Sequence, residues 1–159
     1  MAIVTIQNKK DEKFLRRPTA RFDFKNFSKK NIRDLVQRMR GAMQEAEGVG
    51  LSANQIGLDM KVFVARVENK FYALFNPEIV QFSSETLPME EGCLSVPGVY
   101  GSVERPAKVM LKGYDMNGKP IKIKAWGLLA RVFQHESDHL NGKLFIDKAK
   151  RVERTPIIK

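Results

Sequence analysis

The chain has only two histidines, and they stand four residues apart in the segment QHESDH. On a helix, His135 and His139 would project both imidazoles from one face. Two neutral imidazoles so placed can grip a divalent metal ion, and Glu136, beside them, is placed to move protons on a water in the site. The plainer alternative is a pair of surface histidines. It is weakened because no other histidine exists in the 159 residues.

A catalytic site of this kind needs a third ligand. Downstream of His139 there is no histidine, and the only acidic residues are Asp147 and Glu153. The single cysteine, Cys93, lies upstream in EEGCLS. A thiolate is a better soft ligand than a carboxylate, although a lone cysteine is also often small core filler. Gly92 and Gly98 suggest glycine-bearing turns on either side of Cys93. Beside a histidine pair without a partner, Cys93 reads as the third ligand. Cysteine plus two histidines leaves one coordination position open, as catalytic sites do.

A third segment, GVGLSANQIG from Gly48 to Gly57, permits close backbone approach to a ligand around Val49, and Gln55 can offer its amide to a developing oxyanion. Metal-bound histidines commonly donate their second N–H to a carboxylate. Glu91, facing the ligands, and Arg105, holding Glu91 ionised, are the expected supporting pair. Two other readings stay open on these residues: an endopeptidase using HExxH, and a basic RNA- or ribosome-binding protein with a non-catalytic metal site. Zn, Fe, Co and Ni all suit the donor set.

These groups need elements to hold them. Ile32, Leu35, Val36, Met39, Met43 and Ala46 recur at spacings of three and four, which predicts a helix over 30–46, capped by Ser28 or Asn26 and followed by Gly48. KVFVARV and KFYALF predict a hairpin turning at Glu68-Asn69 and closing at Asn76-Pro77, with Ile79 to Phe82 as a further short strand. Strands are expected over 108–114 and 120–125, joined through Asn117-Gly118. A second helix is expected over 128–140, ended by a left-handed Gly142. The tail from Lys148 has no strong apolar period; either it is dispensable, or Ile157 and Ile158 form a sealing strand. Helix, strands, helix reads as one α+β domain over 1–159.

Composition sets the surroundings. Lys and Arg number 28 against 18 Asp and Glu, a net charge of +10, which favours anionic partners such as ribosomal RNA. The lysines are spread, however, and a solvated basic surface explains them equally. The start turns polar after six residues, unlike a secretory signal, and no apolar run has the length of a membrane span. One cysteine fits a reducing compartment, with the cytoplasm expected.

GVGLSANQ, EGCLS and QHESDH together resemble, in order and spacing, the three signature motifs of the peptide deformylase family. FNPEI, SVPG, the turn over 117–120 and LNGKLFID extend the resemblance over nearly the whole chain. It implies antiparallel strands packed around the helix that carries the histidines. The implied activity is removal of the N-formyl group from the formyl-methionine of newly synthesised polypeptides, releasing formate. The implied metal is Fe(II) in cells. Carried over, Cys93, His135 and His139 bind it, and Glu136 is general base and acid. Gln55 and the Leu94 N–H stabilise the oxyanion, Val49 and Gly50 border the substrate, and Val132 walls the methionine pocket. Ser52 and Asn54 depart from the Ala and Pro of many members, and Tyr100 stands at the pocket rim where some bacterial members place Arg. Twenty residues follow His139, fewer than in typical bacterial members; a bacterial, organellar or phage origin all fit. The expected partners are formylmethionyl nascent peptides and, through the basic surface, the ribosome, for a monomer without a membrane.

Overall fold

The computed structural model describes residues 2–155. Helix α2, Lys29–Glu45, starts on Ser28, whose hydroxyl accepts the Asn31 N–H at 3.0 Å. It buries Ile32, Leu35, Val36, Met39 and Met43 along one stripe, the face its spacing predicts. Helix α3, Gly127–Leu140, ends at Asn141, and Gly142 follows with φ +75°. A short helix α1, Lys9–Leu15, is capped by Asn8 and buries only Leu15, too little pattern for periodicity to expose it.

The strands are β1 (Gly50–Ser52), β2 (Val62–Val67), β3 (Lys70–Phe82), β4 (Thr86–Cys93), β5 (Val96–Pro106), β6 (Lys108–Tyr114), β7 (Pro120–Trp126) and β8 (Val152–Arg154). They form a five-stranded sheet in the order β1-β2-β3-β6-β7 and a three-stranded sheet β4-β5-β8. Every pairing is antiparallel. The architecture is the expected α+β.

Strand β2 shows why VFVARV is almost unbroken in apolar residues. Val62 and Val64 pack with the stripe of α2, while Phe63, Ala65 and Val67 pack with Phe133, Val132 and Leu140 of α3. A strand covered on both faces loses its polar alternation. A smaller cluster of Val96, Val103, Leu144 and Phe145 ties the β4–β5 hairpin to the segment after α3.

Two expectations need correction. Asn76-Pro77 does close the β2–β3 pair, whose last partners are Val62 and Phe75, but 79–82 is not a separate short strand: β3 itself continues to Phe82 and pairs there with β6. Pro77, which has no N–H to give a ladder, falls at a register shift between Phe75 and Glu78. Asn76, at φ +50°, secures the bend with 2.7 and 2.9 Å hydrogen bonds to the Phe22 backbone. Second, Cys93 is not flanked by two turns. Gly92 lies inside β4, and Cys93 opposes Val96 across a tight turn at Leu94-Ser95. Strands β4 and β5 have no sequence signal strong enough to outweigh their glycines and prolines. The tail, which has no strong apolar period, still supplies β8, pairing Arg154 with Val99 and Glu153 with Tyr100. Its three residues are exposed, and the neighbouring Thr155 hydroxyl donates to the Gly98 carbonyl at 3.2 Å. The expected strand at Ile157 and Ile158 lies outside the described residues.

No described helix is long and apolar enough to cross a membrane.

Candidate active site

Helix α3 carries its last two turns into the angle between the two sheets and brings its histidines to the end of β4. His139 Nε2 lies 3.1 Å from Cys93 Sγ and 3.2 Å from His135 Nε2. These three ligand atoms lie within 4.8 Å of one another. Three lone-pair donors meeting this closely repel one another unless a positive charge sits among them. Burial opposes charge on His135, yet hydrogen bonds with Cys93 and Glu91 and the charge of Glu136 raise it to about 10. Burial and the neighbouring His135 push His139 well below the usual range. One positive charge is therefore favoured between the donors, and a divalent cation in exchange for that proton meets the same demand. The residues fit a metal.

A buried charge network fixes the geometry. Glu91 Oε1 accepts His135 Nδ1 at 2.9 Å, which leaves Nε2 with its lone pair toward Cys93 and His139. Arg105 grips Glu91 in a fork, Nε to Oε2 at 2.6 Å and Nη2 to Oε1 at 3.0 Å, and gives its third nitrogen to Asp138 at 2.8 Å. Arg131 adds a bond to Glu91 Oε2 at 2.8 Å and reaches the carbonyls of Val103 and Leu87. Burial alone would raise Glu91, but these donors outweigh it and hold its carboxyl far below the usual carboxylate range. Arg105 and Arg131 thus face the carboxylates of Glu91 and Asp138, and Lys148 reaches Asp138 from the surface at 3.0 Å.

The Gln55 amide has one orientation. The Ser52 N–H donates to Oε1 at 3.0 Å, and the Ser52 hydroxyl lies 3.1 Å from the same oxygen. Nε2 therefore faces the Cys93 loop, 3.1 Å from Ser95 Oγ and 3.7 Å from Cys93 Sγ. Asn54 Nδ2 holds the His139 carbonyl at 2.8 Å while its Oδ1 accepts the Ser52 hydroxyl. The N-terminal segment braces both loops, with Val4 N–H on the Gln55 carbonyl and Ile6 N–H on that of Ser95.

The family model described as polypeptide deformylase matches residues 1–155. The chain belongs to that family. It is 50% identical over 125 residues to a peptide deformylase of Prochlorococcus marinus, covering 76% of this chain and 62% of that relative's length. Peptide deformylase 1 of Pseudomonas syringae is 42% identical over 100% of this chain and 94% of its own. Among solved structures, a peptide deformylase from Synechococcus elongatus in complex with actinonin superposes with a TM-score of 0.85 at 36% identity. That match covers 95% of this chain and 79% of the other.

In this deformylase-family chain Cys93 and His135 line a cleft of ≈ 480 Å³, with His139 buried behind them, an ordinary size for a small-ligand site. Val49, Gly50, Gln55, Leu94, Val132 and Glu136 all line it, with Tyr100 at its exposed edge. Gly50 is required by contact: a Cβ there would lie 2.7 Å from Glu136 Oε1 and 3.0 Å from Val132. Glu136 is buried, and its Oε2 has no hydrogen-bond partner among the described residues. Burial is the main reason its carboxyl is pushed up to about 7, with Glu91 adding to it and His135 and Arg105 opposing. His139 Nδ1 is also buried without a partner among the described residues.

The structure thus brings together every residue singled out from the sequence, including Glu91 and Arg105. Arg131, Asp138 and the Ser52–Asn54 pair were missed. A faint signal for Arg131 exists: it breaks the apolar run LLARVF four residues before His135, on the same helix face.

Proposed function

We propose that this chain, as one catalytic domain, removes the N-formyl group from the formyl-methionine of newly made polypeptides and releases formate. The observation that carries the reading is the meeting of three metal-ligand atoms with a buried, unpaired carboxylate oxygen and an oriented amide at one cleft. Cys93, His135 and His139 would hold one divalent ion, Fe(II) first, with Zn, Ni or Co suited to the same donors. When bound, such an ion supplies Lewis-acid polarisation to a water and to the formyl carbonyl.

The chain's own groups do the rest. Glu136 takes a proton from the attacking water at its carboxylate as the new C–O bond forms. Charge gathering on the formyl oxygen is met by Gln55 Nε2 and the Leu94 N–H. Glu136 then passes the proton to the leaving nitrogen, the C–N bond breaks, and formate and a free N-terminus depart. Val49 and Gly50 border the peptide backbone, Val132 walls the methionine side chain, and Tyr100 guards the rim. Crowding of Gly50 against Glu136 and Val132 suits formyl and excludes bulkier acyl groups.

In this reading the enzyme is a cytoplasmic monomer that meets its substrates at the ribosome, its charge of +10 favouring encounter with ribosomal RNA. Metal analysis of anaerobically purified protein, paired with a formyl-Met-peptide assay, tests the proposal. Formate release with one metal per chain supports it. Internal cleavage of unblocked peptides would instead favour an endopeptidase, and bound metal without hydrolysis a binding protein. Actinonin, found with the Synechococcus elongatus relative, should block formate release here.

A further inference from the structure

Helix α2 packs over β1, β2 and the first part of β3. The same sheet face continues across the end of β3, β6 and β7 with no described helix packed over it. There Val109, Leu111 and Ala125 turn inward onto α3. Alternation then sends Lys108, Met110 and Lys112 outward from β6, and Lys122, Lys124 and Trp126 outward from β7. Register sets Lys108 opposite Trp126, Met110 opposite Lys124, and Lys112 opposite Lys122.

Three features of this face need a partner. Lys112 and Lys122 are like charges directly opposite one another, an arrangement that destabilises a sheet unless an anion lies between them. None of the four lysines enters an ion pair among the described residues, and the one acidic residue on these three strands is Glu78, opposite Lys112. Trp126, at 67% exposure, is the most exposed large apolar side chain described. It borders a groove of ≈ 530 Å³ that Gln81, Lys108, Met110 and Lys124 also line.

We infer that this face docks single-stranded RNA, the lysines meeting phosphates and Trp126 stacking on a base. A flexible polyanion with planar apolar faces matches both halves of the surface. An acidic protein segment would use the lysines and leave the indole exposed. A second copy of the chain would set lysine against lysine. The inference deepens the proposed encounter with ribosomal RNA and places it away from the cleft, so the two readings fail separately.

Trp126 is the only tryptophan, so its emission reports on this face directly. Titrating the metal-loaded full chain with a single-stranded 12-nucleotide RNA should quench that emission. Log affinity should fall with log salt at a slope near −3, about 0.7 per phosphate for four contacts. By anisotropy of the labelled RNA, Trp126→Ala should bind about ten-fold or more weakly, and the Lys122→Gln/Lys124→Gln double variant should show about half the salt slope. Formyl-Met-peptide hydrolysis by the double variant, measured on the same preparations, should stay within about two-fold. Absence of quenching, equal quenching by poly-glutamate, or unchanged affinity and slope in the double variant would each overturn the inference. Hydrolysis that fails in the unmodified chain would instead count against the proposed function.

Discussion

Two buried carboxylates stand on either side of His135, and their surroundings drive them in opposite directions. Glu91 is held by two arginines and a histidine and is kept ionised. Glu136 is as deeply buried, yet one oxygen has no partner among the described residues and its carboxyl is raised to about 7. The same functional group is thus made rigid and permanently charged in one place, and able to exchange a proton near neutral pH in the other. The partners around a carboxylate decide whether it positions or reacts.

The sharpest break in that comparison would be to remove what both carboxylates serve. Cys93→Ala should abolish bound metal and hydrolysis together, read by metal analysis and formate release; full occupancy in that variant would remove Cys93 from the ligand set. Gln55→Ala should lower turnover about 10²–10³-fold, the usual loss for one oxyanion donor. Its Michaelis constant should move far less, and a change confined to that constant would make Gln55 a ground-state contact. Arg131→Met separates positioning from chemistry. With one of three donors to Glu91 gone, metal affinity should fall by about ten-fold while turnover at saturating metal stays nearly normal. Equal affinity by metal-competition titration would show that Arg105 alone suffices.

The smallest effect lies far from the carboxylate pair. Arg16 holds Asp147 at 2.6–2.7 Å. Burial opposes charge on Asp147, but Arg16 and the Leu144 N–H together outweigh it and lower its carboxyl below the ordinary 3.8. A lowered carboxyl contributes stability that is fully present above 3.8 and lost as pH falls through its folded value. Both side chains are more than a third exposed, so the pair is worth about 0.2–1 kcal/mol. Asp147→Asn should therefore lower the urea midpoint slightly at pH 7, and the difference from the unmodified chain should shrink as pH falls below 3.8.

The parts legible in the sequence are those whose signal is local. The α2 stripe, the VFVARV strand and the left-handed Gly142 each follow from a few neighbouring residues, as does the shared face of His135 and His139. Cys93 was legible through ligand chemistry, although the hairpin that presents it was hidden by glycines and prolines in β4 and β5. The long-range partnerships were the hardest to see. Ser52 and Asn54 look like ordinary polar substitutions until Asn54 is found on the His139 carbonyl, 85 positions away. Asp138 resembles a surface acid of QHESDH until Arg105 reaches it from β5. The edge strand β8 has no side-chain signature because its pairing is made by backbone alone.

The measurement that bears most directly on the two-carboxylate account is a side-by-side determination of metal content and turnover in Glu136→Gln and Glu91→Gln. Glu136→Gln should retain full metal while turnover falls by about two or more orders of magnitude. Glu91→Gln should bind metal about 10–100-fold more weakly and recover much of its turnover when metal is in excess. Near-normal turnover in Glu136→Gln, or metal lost from it as readily as from Glu91→Gln, would contradict the division of labour between the two carboxylates.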